Sequence, residues 1–466
     1  MRIGALSFAV VLLAGCAIGP DYERPDLKTP AQYRGADTAG SSFAELGWWQ
    51  VLQAPALQAL IRDALAHNPD LAVAAARVDE AEATLRSTHL QYLPTIDASA
   101  GVQRTAASRR ELGSGRQRIL TEATAGVGVS YELDIWGRVR RLNESARAQW
   151  LALGYNRDAV AASLVSSVAT TYFTLTALDE QLAALKETED AAQRFVDLTH
   201  VRRVNGAASA LDELIAQSEL AATRASRADV ERQQAQTENL LNALAGRYPQ
   251  GVERAPPDSS ALVQASAPPA GLPAQLLERR PDLRAAEQDL RSANALVGAQ
   301  EAALMPNVSL TGMLGLASPE LAHLAGGDSG TWSLGGSILM PLLDPQRNGA
   351  LVSAAEARKR AAAEQYRAAA LTALREVADA LAERQKQGEI LTQRQQQVDA
   401  LKQARDVAME RYRVGYSSYF EVITAEQNLS AAQLQLASAR RGLQVSLVQL
   451  YLALGGGWQA EPAAQP

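Results

Sequence analysis

Few side chains in this sequence are placed to do covalent chemistry. Gly327-Asp328-Ser329-Gly330 has the residue types of a serine nucleophile between glycines. Acyl transfer also needs a histidine base and an acid that orients it, and no matching histidine and aspartate context accompanies the tetrapeptide. The four histidines, His67, His89, His200 and His323, are too scattered for a metal site, and Cys16 is the single cysteine, so no thiol helps them and no intramolecular disulfide can form. No phosphate-binding glycine-rich loop with a lysine is present. The 45 basic and 51 acidic side chains balance to −6 and are mixed along the chain, which speaks against a nucleic-acid surface. More suggestive is Tyr419-Phe420-Glu421-Val422-Ile423-Thr424-Ala425-Glu426. Its carboxylates either lie on a solvated helix face or, if copies of the chain bring them together around an axis, repel one another and attract cations. The arginines Arg104, Arg109, Arg110, Arg116 and Arg118, set against the lone Glu111, suit either lipid phosphates or an ordinary solvated loop.

The elements that must carry these residues begin with an export signal. Met1-Arg2 leads into an apolar run from Ile3 to Leu13, followed by Leu13-Ala14-Gly15-Cys16. One positive charge, a short hydrophobic core and small residues describe a secretory signal over residues 1–15, too short to span a bilayer. The tetrapeptide resembles a bacterial lipobox, which implies a covalent lipid on Cys16; no other cofactor is expected. Ala17 stands where an aspartate would hold such a protein at the inner membrane, so the outer membrane is implied.

An internal repeat organises the rest. Asn68-Pro69-Asp70-Leu71 is echoed by Arg280-Pro281-Asp282-Leu283, Leu93-Pro94 by Met305-Pro306, and Asp134-Ile135-Trp136-Gly137-Arg138 by Asp344-Pro345-Gln346-Arg347. Gly206 with Asp212, Gln217 and Leu220 is likewise echoed by Gly415 with Glu421, Glu426 and Leu429, and Ala245-Gly246 by Leu454-Gly455. The chain therefore divides into an N-terminal anchor and collar segment (16–68), a first repeat (69–246), a Pro/Ala/Ser-rich linker (247–280), a second repeat (281–455) and a tail (456–466).

Each repeat reads as helix, β-hairpin, long helix, helix. Proline at a first helical position followed by aspartate starts a helix at Pro69 and Pro281, and the helices stop near Pro94 and Pro306. The period then becomes two. Ile96, Ala98, Ala100 and Val102 alternate with polar residues, as do Val127, Val129, Tyr131, Leu133 and Ile135 over Gly126 to Ile135. Val308 and Leu310, then Trp332, Leu334, Ile338 and Met340, repeat the pattern. Strands of about ten residues with one apolar and one small or polar face suit a membrane barrel. Uninterrupted helical patterns follow over about Arg138 to Val204 and Arg347 to Arg411, each about 100 Å long at 1.5 Å per residue. Their partners are expected at Pro69 to Tyr92 and Ala207 to Gly246. A content of 47% hydrophobic but only 5% aromatic residues agrees, because Ala and Leu suit closely packed long helices. Two hairpins leave open sheet edges that hydrocarbon cannot satisfy, so several copies must close the sheet.

Taken together these blocks resemble the TolC-like outer-membrane factors, in particular the NodT-type efflux lipoproteins. The likeness rests on Gly19-Pro20-Asp21-Tyr22, Trp48-Trp49, Tyr131-Glu132-Leu133-Asp134-Ile135-Trp136-Gly137-Arg138, Arg279-Arg280-Pro281-Asp282-Leu283-Arg284-Ala285-Ala286-Glu287 and Leu454-Gly455-Gly456-Gly457-Trp458. It implies a mainly α fold with a small β part: a homotrimer with a twelve-stranded barrel in outer-membrane lipid and a long periplasmic helical barrel. It further implies a duct that works with a periplasmic adaptor and an inner-membrane transporter of the resistance-nodulation-division type to expel drugs or other toxic small molecules. A protein-secretion duct and a non-channel structural lipoprotein are the alternatives. By the same resemblance, the helical tips with Arg203, Val204, Gly206 and Ala207, and with Arg413, Val414, Gly415 and Tyr416, meet the adaptor. Phe420, Glu421, Thr424 and Glu426 fall where relatives close the periplasmic mouth, although Thr424 replaces the aspartate that several of them carry. Independently of any family, Gly206 and Gly415 permit the positive-φ turn between antiparallel helices.

Overall fold

The computed structural model describes residues 17–34, 43–106, 108, 119–254, 273–340 and 345–459. In chain order these hold helices α1 (Trp48–Val51), α2 (Pro55–His67) and α3 (Pro69–His89), and strands β1 (Thr95–Ala106) and β2 (Ile119–Leu133). Helices α4 (Arg138–Val204), α5 (Ala210–Leu244), α6 (Pro273–Arg279) and α7 (Pro281–Ala302) follow, then strands β3 (Asn307–Ser318) and β4 (Gly330–Leu339), then helices α8 (Pro345–Arg413) and α9 (Tyr419–Ala453). The fold is mainly α with a small β part. Cys16, the arginines from Arg109 to Arg118, Glu111, Asp344 and most of the linker lie outside the described residues.

The two long helices have 67 and 69 residues, close to the lengths that their unbroken patterns predict. Several boundaries differ from expectation: β2 starts at Ile119, ahead of Gly126, β4 ends at Leu339, short of Met340, and three others differ for a clear local reason. Helix α3 stops at His89 and tightens into a 3-10 turn, Leu90–Tyr92, instead of continuing to Tyr92, because Leu93 is extended (φ −100°, ψ 152°) ahead of Pro94. Helix α5 starts at Ala210 and not Ala207, because Ser209 is extended and its hydroxyl caps the Asp212 N–H. Strand β2 ends at Leu133 and excludes Ile135. The Asp134 carboxylate accepts the N–H groups of Val139 (2.8 Å) and Arg140 (3.0 Å), which turns the chain out of the sheet and into α4.

By contacts the chain divides into two compact units. The first holds residues 1–26, 77–153 and 285–366 and contains the sheet. Its strands form an antiparallel meander in the order β1-β2-β3-β4, with Ile96 opposite Val129, Val127 opposite Leu314, and Leu314 opposite Trp332. Polar partners meet in register too, and the hydroxyls of Ser309 and Ser337 lie 2.7 Å apart. Every residue of β1 and β4 is exposed. Ile96 (68%), Trp332 (76%) and Leu334 (82%) show that the sheet has no core of its own in one chain, so its apolar side chains await lipid or another copy.

The second unit (residues 27–76, 154–284 and 367–466) carries the large hydrophobic core. Tyr172, Phe173 and Leu175 of α4 pack with Trp48 of α1, Leu57 and Ile61 of α2, Leu241 of α5, and Leu447, Leu450 and Tyr451 of α9. Several of the sequence blocks meet here. Arg280, 12% exposed, donates to Asp282 (3.0 and 2.7 Å), Glu376 (2.7 Å) and the Ala453 carbonyl (3.2 Å). Gly455, at φ +86°, lies so close that a Cβ there would sit 3.1 Å from Arg280 Cγ. The Tyr451 hydroxyl donates to the Leu46 carbonyl (2.6 Å) and Trp458 Nε1 to the Gly455 carbonyl (2.9 Å), which ties the C-terminal block and the Trp48-Trp49 segment to one core.

Candidate gate and docking tips

Both helical turns belong to the second unit. At the first, Gly206 has φ +74°, and the Ala207 N–H donates back to the Arg202 carbonyl (2.7 Å), which satisfies the frayed end of α4. Beyond it a capping box starts α5: the Asp212 carboxylate accepts from the Ser209 N–H (3.0 Å) and hydroxyl (2.9 Å). Arg203 is not a free docking charge, since its guanidinium pairs with the Glu213 carboxylate, which His200 Nδ1 also meets at 2.9 Å. The His200 hydrogen bond and the Arg203 charge hold the Glu213 pKa below the usual carboxylate range. Val204 remains exposed, as do Leu211 and Leu214 on the first turns of α5.

The second turn repeats the backbone of the first. Gly415 has φ +83°, and the Tyr416 N–H donates to the Arg411 carbonyl (2.8 Å). Arg413 pairs with Glu410 (3.1 Å) on the same helix, while Val414 and Tyr416 point into solvent. Ser418 has the extended backbone of an N-cap but makes no side-chain capping bond.

Behind the tips lies a cluster that periodicity alone does not reveal. Phe195 of α4, Ala216 of α5, Ala408 and Tyr412 of α8, and Tyr419, Val422 and Ile423 of α9 are all buried together. The Tyr419 ring stands 5.2 Å from Phe195 and 5.8 Å from Tyr412, and the Arg202 guanidinium lies 4.7 Å above the Tyr412 ring. Burial pushes the Tyr419 hydroxyl far above its ordinary pKa. The readable signal is at the second glycine, where Tyr412 and Tyr419 lie within four residues of Gly415; Phe195 stands about three turns before Gly206 and gives no such local cue.

At the start of α9 the predicted gate residues separate into two groups. Phe420 (69% exposed), Glu421 and Thr424 share one exposed face, with Val422 and Ile423 turned inward. The Thr424 hydroxyl donates to the Phe420 carbonyl (2.8 Å), so its oxygen is engaged by the helix itself. Glu426 is not on that face; it is 15% exposed and turns to Arg405 of α8 at 3.5 Å. In the first unit, the Ser329 hydroxyl donates to the His323 carbonyl (2.8 Å), and the His323 ring faces Glu320 (3.1 Å) and not Ser329.

This geometry of paired hairpins, long helices and uncapped sheet edges coincides with a known family. Residues 60–247 and 272–456 match the family described as outer membrane efflux protein, and the chain belongs to it. It is 35% identical over 469 residues to the toluene efflux pump outer membrane protein TtgC of Pseudomonas putida, covering 98% of this chain and 96% of that protein. The cation efflux system protein CusC of Escherichia coli is 33% identical, with 97% and 98% covered. The probable outer membrane lipoprotein SilC of Salmonella typhimurium is 32% identical, with 98% and 99% covered. The open state of the Neisseria gonorrhoeae MtrE outer membrane channel superimposes with a TM-score of 0.85 at 30% identity, over 95% of this chain and 99% of that one. The chain is therefore an outer-membrane component of an efflux pump.

Proposed function

We propose that three copies of this chain close their sheets into one twelve-stranded barrel and form the exit duct through which drugs or other toxic small molecules leave the cell. The observation that carries this reading is the sheet. Its edge strands β1 and β4 are unpaired in one chain, and its apolar side chains have no core to enter. In hydrocarbon each unpaired backbone group costs several kcal/mol, so a closed ring of copies is the stable arrangement. A periplasmic adaptor and an inner-membrane transporter of the resistance-nodulation-division type would deliver the cargo, and Cys16 would carry the lipid.

Within this duct the tips at Arg203 to Ala207 and Arg413 to Tyr416 meet the adaptor through exposed Val204, Val414 and Tyr416, since both arginines already have acidic partners. Phe420 and Glu421 close the mouth. Three copies would place an apolar ring beside three mutually repelling carboxylates, and a passing cation would relieve that repulsion. Glu426, already paired, is removed from the gate and assigned to bracing α8 against α9. No catalysis is assigned, because the Ser329 hydroxyl has a carbonyl and not a base as its partner.

The test is a deletion strain grown across a panel of drugs, dyes, solvents and metal cations, with the full chain restored from a plasmid. Increased sensitivity to small molecules, reversed on restoration, is expected. Normal resistance combined with loss of a secreted protein would replace the reading with a protein-secretion duct.

A further inference from the structure

The N-terminal segment, residues 17–24, is held by the first unit at nearly every residue. The Ile18 N–H donates to the Trp136 carbonyl (3.0 Å), and Trp136 Nε1 donates to the Pro306 carbonyl (2.8 Å). These bonds seat the segment between the end of β2 and the start of β3, the two central strands. Arg141, whose side chain is only 7% exposed, donates to the carbonyls of Ile18 (3.2 Å) and Gly19 (3.1 Å) and to Asp21 (3.1 Å). Asn294, 1% exposed, donates to the Pro20 carbonyl (2.9 Å). Tyr22 donates to Glu287 (3.3 Å) beneath the Arg291 guanidinium, and Arg24 pairs with Glu287 (3.0 Å).

Three glycines make room for this seat. A Cβ on Gly137 would lie 2.8 Å from Ala17 Cα, one on Gly298 2.8 Å from the Ile18 carbonyl oxygen, and one on Gly19 2.3 Å from Gly298 Cα. Gly298 stands well inside α7, where glycine costs about 1 kcal/mol relative to alanine. Nothing in the helix calls for it. The strap that crosses it does.

We propose that residues 17–24 form a seat that fixes the lipid-bearing end of the chain at the foot of the sheet, with Gly137, Gly298 and Arg141 as its positioning residues. This rests on the reading of Cys16 as the acylated residue. Left free, an eight-residue tether would let its end wander about 16 Å. Seated, residue 16 starts one Cα step, about 3.8 Å, from Ala17 against Gly137. Acyl chains buried at that point act on the sheet as an intramolecular ligand of the membrane, at an effective concentration of the millimolar order. Lipid insertion thereby assists the entry of strands that one chain alone cannot shelter.

The experiment uses the full chain in the producing bacterium, with Gly298→Leu and Arg141→Ala each made with Cys16 intact and in a Cys16→Ser background. Palmitate labelling and the amount of heat-resistant oligomer in the outer membrane are measured for all of them. With Cys16 intact, labelling is expected to be unchanged while oligomer falls about ten-fold. In the Cys16→Ser background the same substitutions are expected to cause no further loss, because the seat acts through the lipid. Should Gly298→Leu fail to accumulate, Gly298→Ala serves: its single methyl must speed cleavage after Glu23 by a glutamate-specific protease and lower the oligomer to a smaller degree. Equal proportional losses in both backgrounds, or no loss with Cys16 intact, would overturn the seat. An unlabelled unsubstituted protein would instead defeat the acylation reading itself, and the seat with it.

Discussion

The two helical tips share one backbone and differ in what their side chains do. Gly206 and Gly415 hold the same positive φ, and Ser209 and Ser418 the same extended N-cap conformation. At the first tip the repeat's acidic residue, Asp212, is consumed by the capping box. At the second its counterpart, Glu421, is exposed beside Phe420, and Ser418 leaves its helix uncapped. The next repeated position diverges as well: Gln217 is exposed, while Glu426 is drawn to Arg405. One duplicated turn has thus kept local stability in the first copy and given up a cap in the second, where a carboxylate is left facing outward. On the proposed reading both tips dock, and that difference reserves the gate for the second, where Phe420 and Glu421 are exposed.

The largest effect should come from emptying the second tip. Replacing Phe420 and Glu421 together with Ala is expected to raise single-channel conductance in planar bilayers several-fold. The matching pair in the first tip, Leu211 and Asp212 to Ala, should leave it near the unsubstituted value. Equal changes would erase the functional distinction between the tips.

A backbone perturbation should affect both tips alike. Gly206→Ala and Gly415→Ala each force a Cβ into the left-handed region, at a cost of about 1–2 kcal/mol. Nothing lies within 4 Å of the place either Cβ would occupy, so the strain is purely conformational. Hydrogen exchange in the last turns of α4 and α8 should accelerate by similar factors. A large inequality would mean that packing, and not φ, sets the turn.

Smaller still is the cap. Ser209→Ala should cost about 1 kcal/mol, seen as faster amide exchange in the first turn of α5. Ser418→Ala should have almost no effect at the start of α9, since no capping bond is lost there.

The smallest effect concerns pH. Because Glu213 has a lowered folded pKa, its pairing with His200 and Arg203 adds stability above the ordinary carboxylate pKa of about 4.3, and that stability disappears as pH falls through the depressed value. Exchange at the first tip should therefore rise on acidification below about pH 4, and Glu213→Gln should remove that dependence without altering the second tip.

Much of this was legible in the residues. The prolines at 69, 94, 281 and 306 bracket short helices, the glycines at 206 and 415 mark the turns, and period-two runs mark the strands, because each depends on local backbone preference. Strand and helix ends were less legible: Asp134 reads equally well as the last strand residue or the first cap until its hydrogen bonds are seen. The proposed gate was only partly legible. A sequence places Glu421 and Glu426 near each other, yet which of them finds an arginine depends on Arg405, a residue on another helix. The seat for the N-terminal segment was not legible at all, because Gly298 gains its meaning only from a chain nearly three hundred residues away.

The claim on which all this depends is that copies of the chain complete one another's sheet. Native mass spectrometry of the unboiled, detergent-extracted full-length protein tests it most directly. Three chains held together until heating is the expected mass; a stable single chain that keeps its β signature would contradict the account.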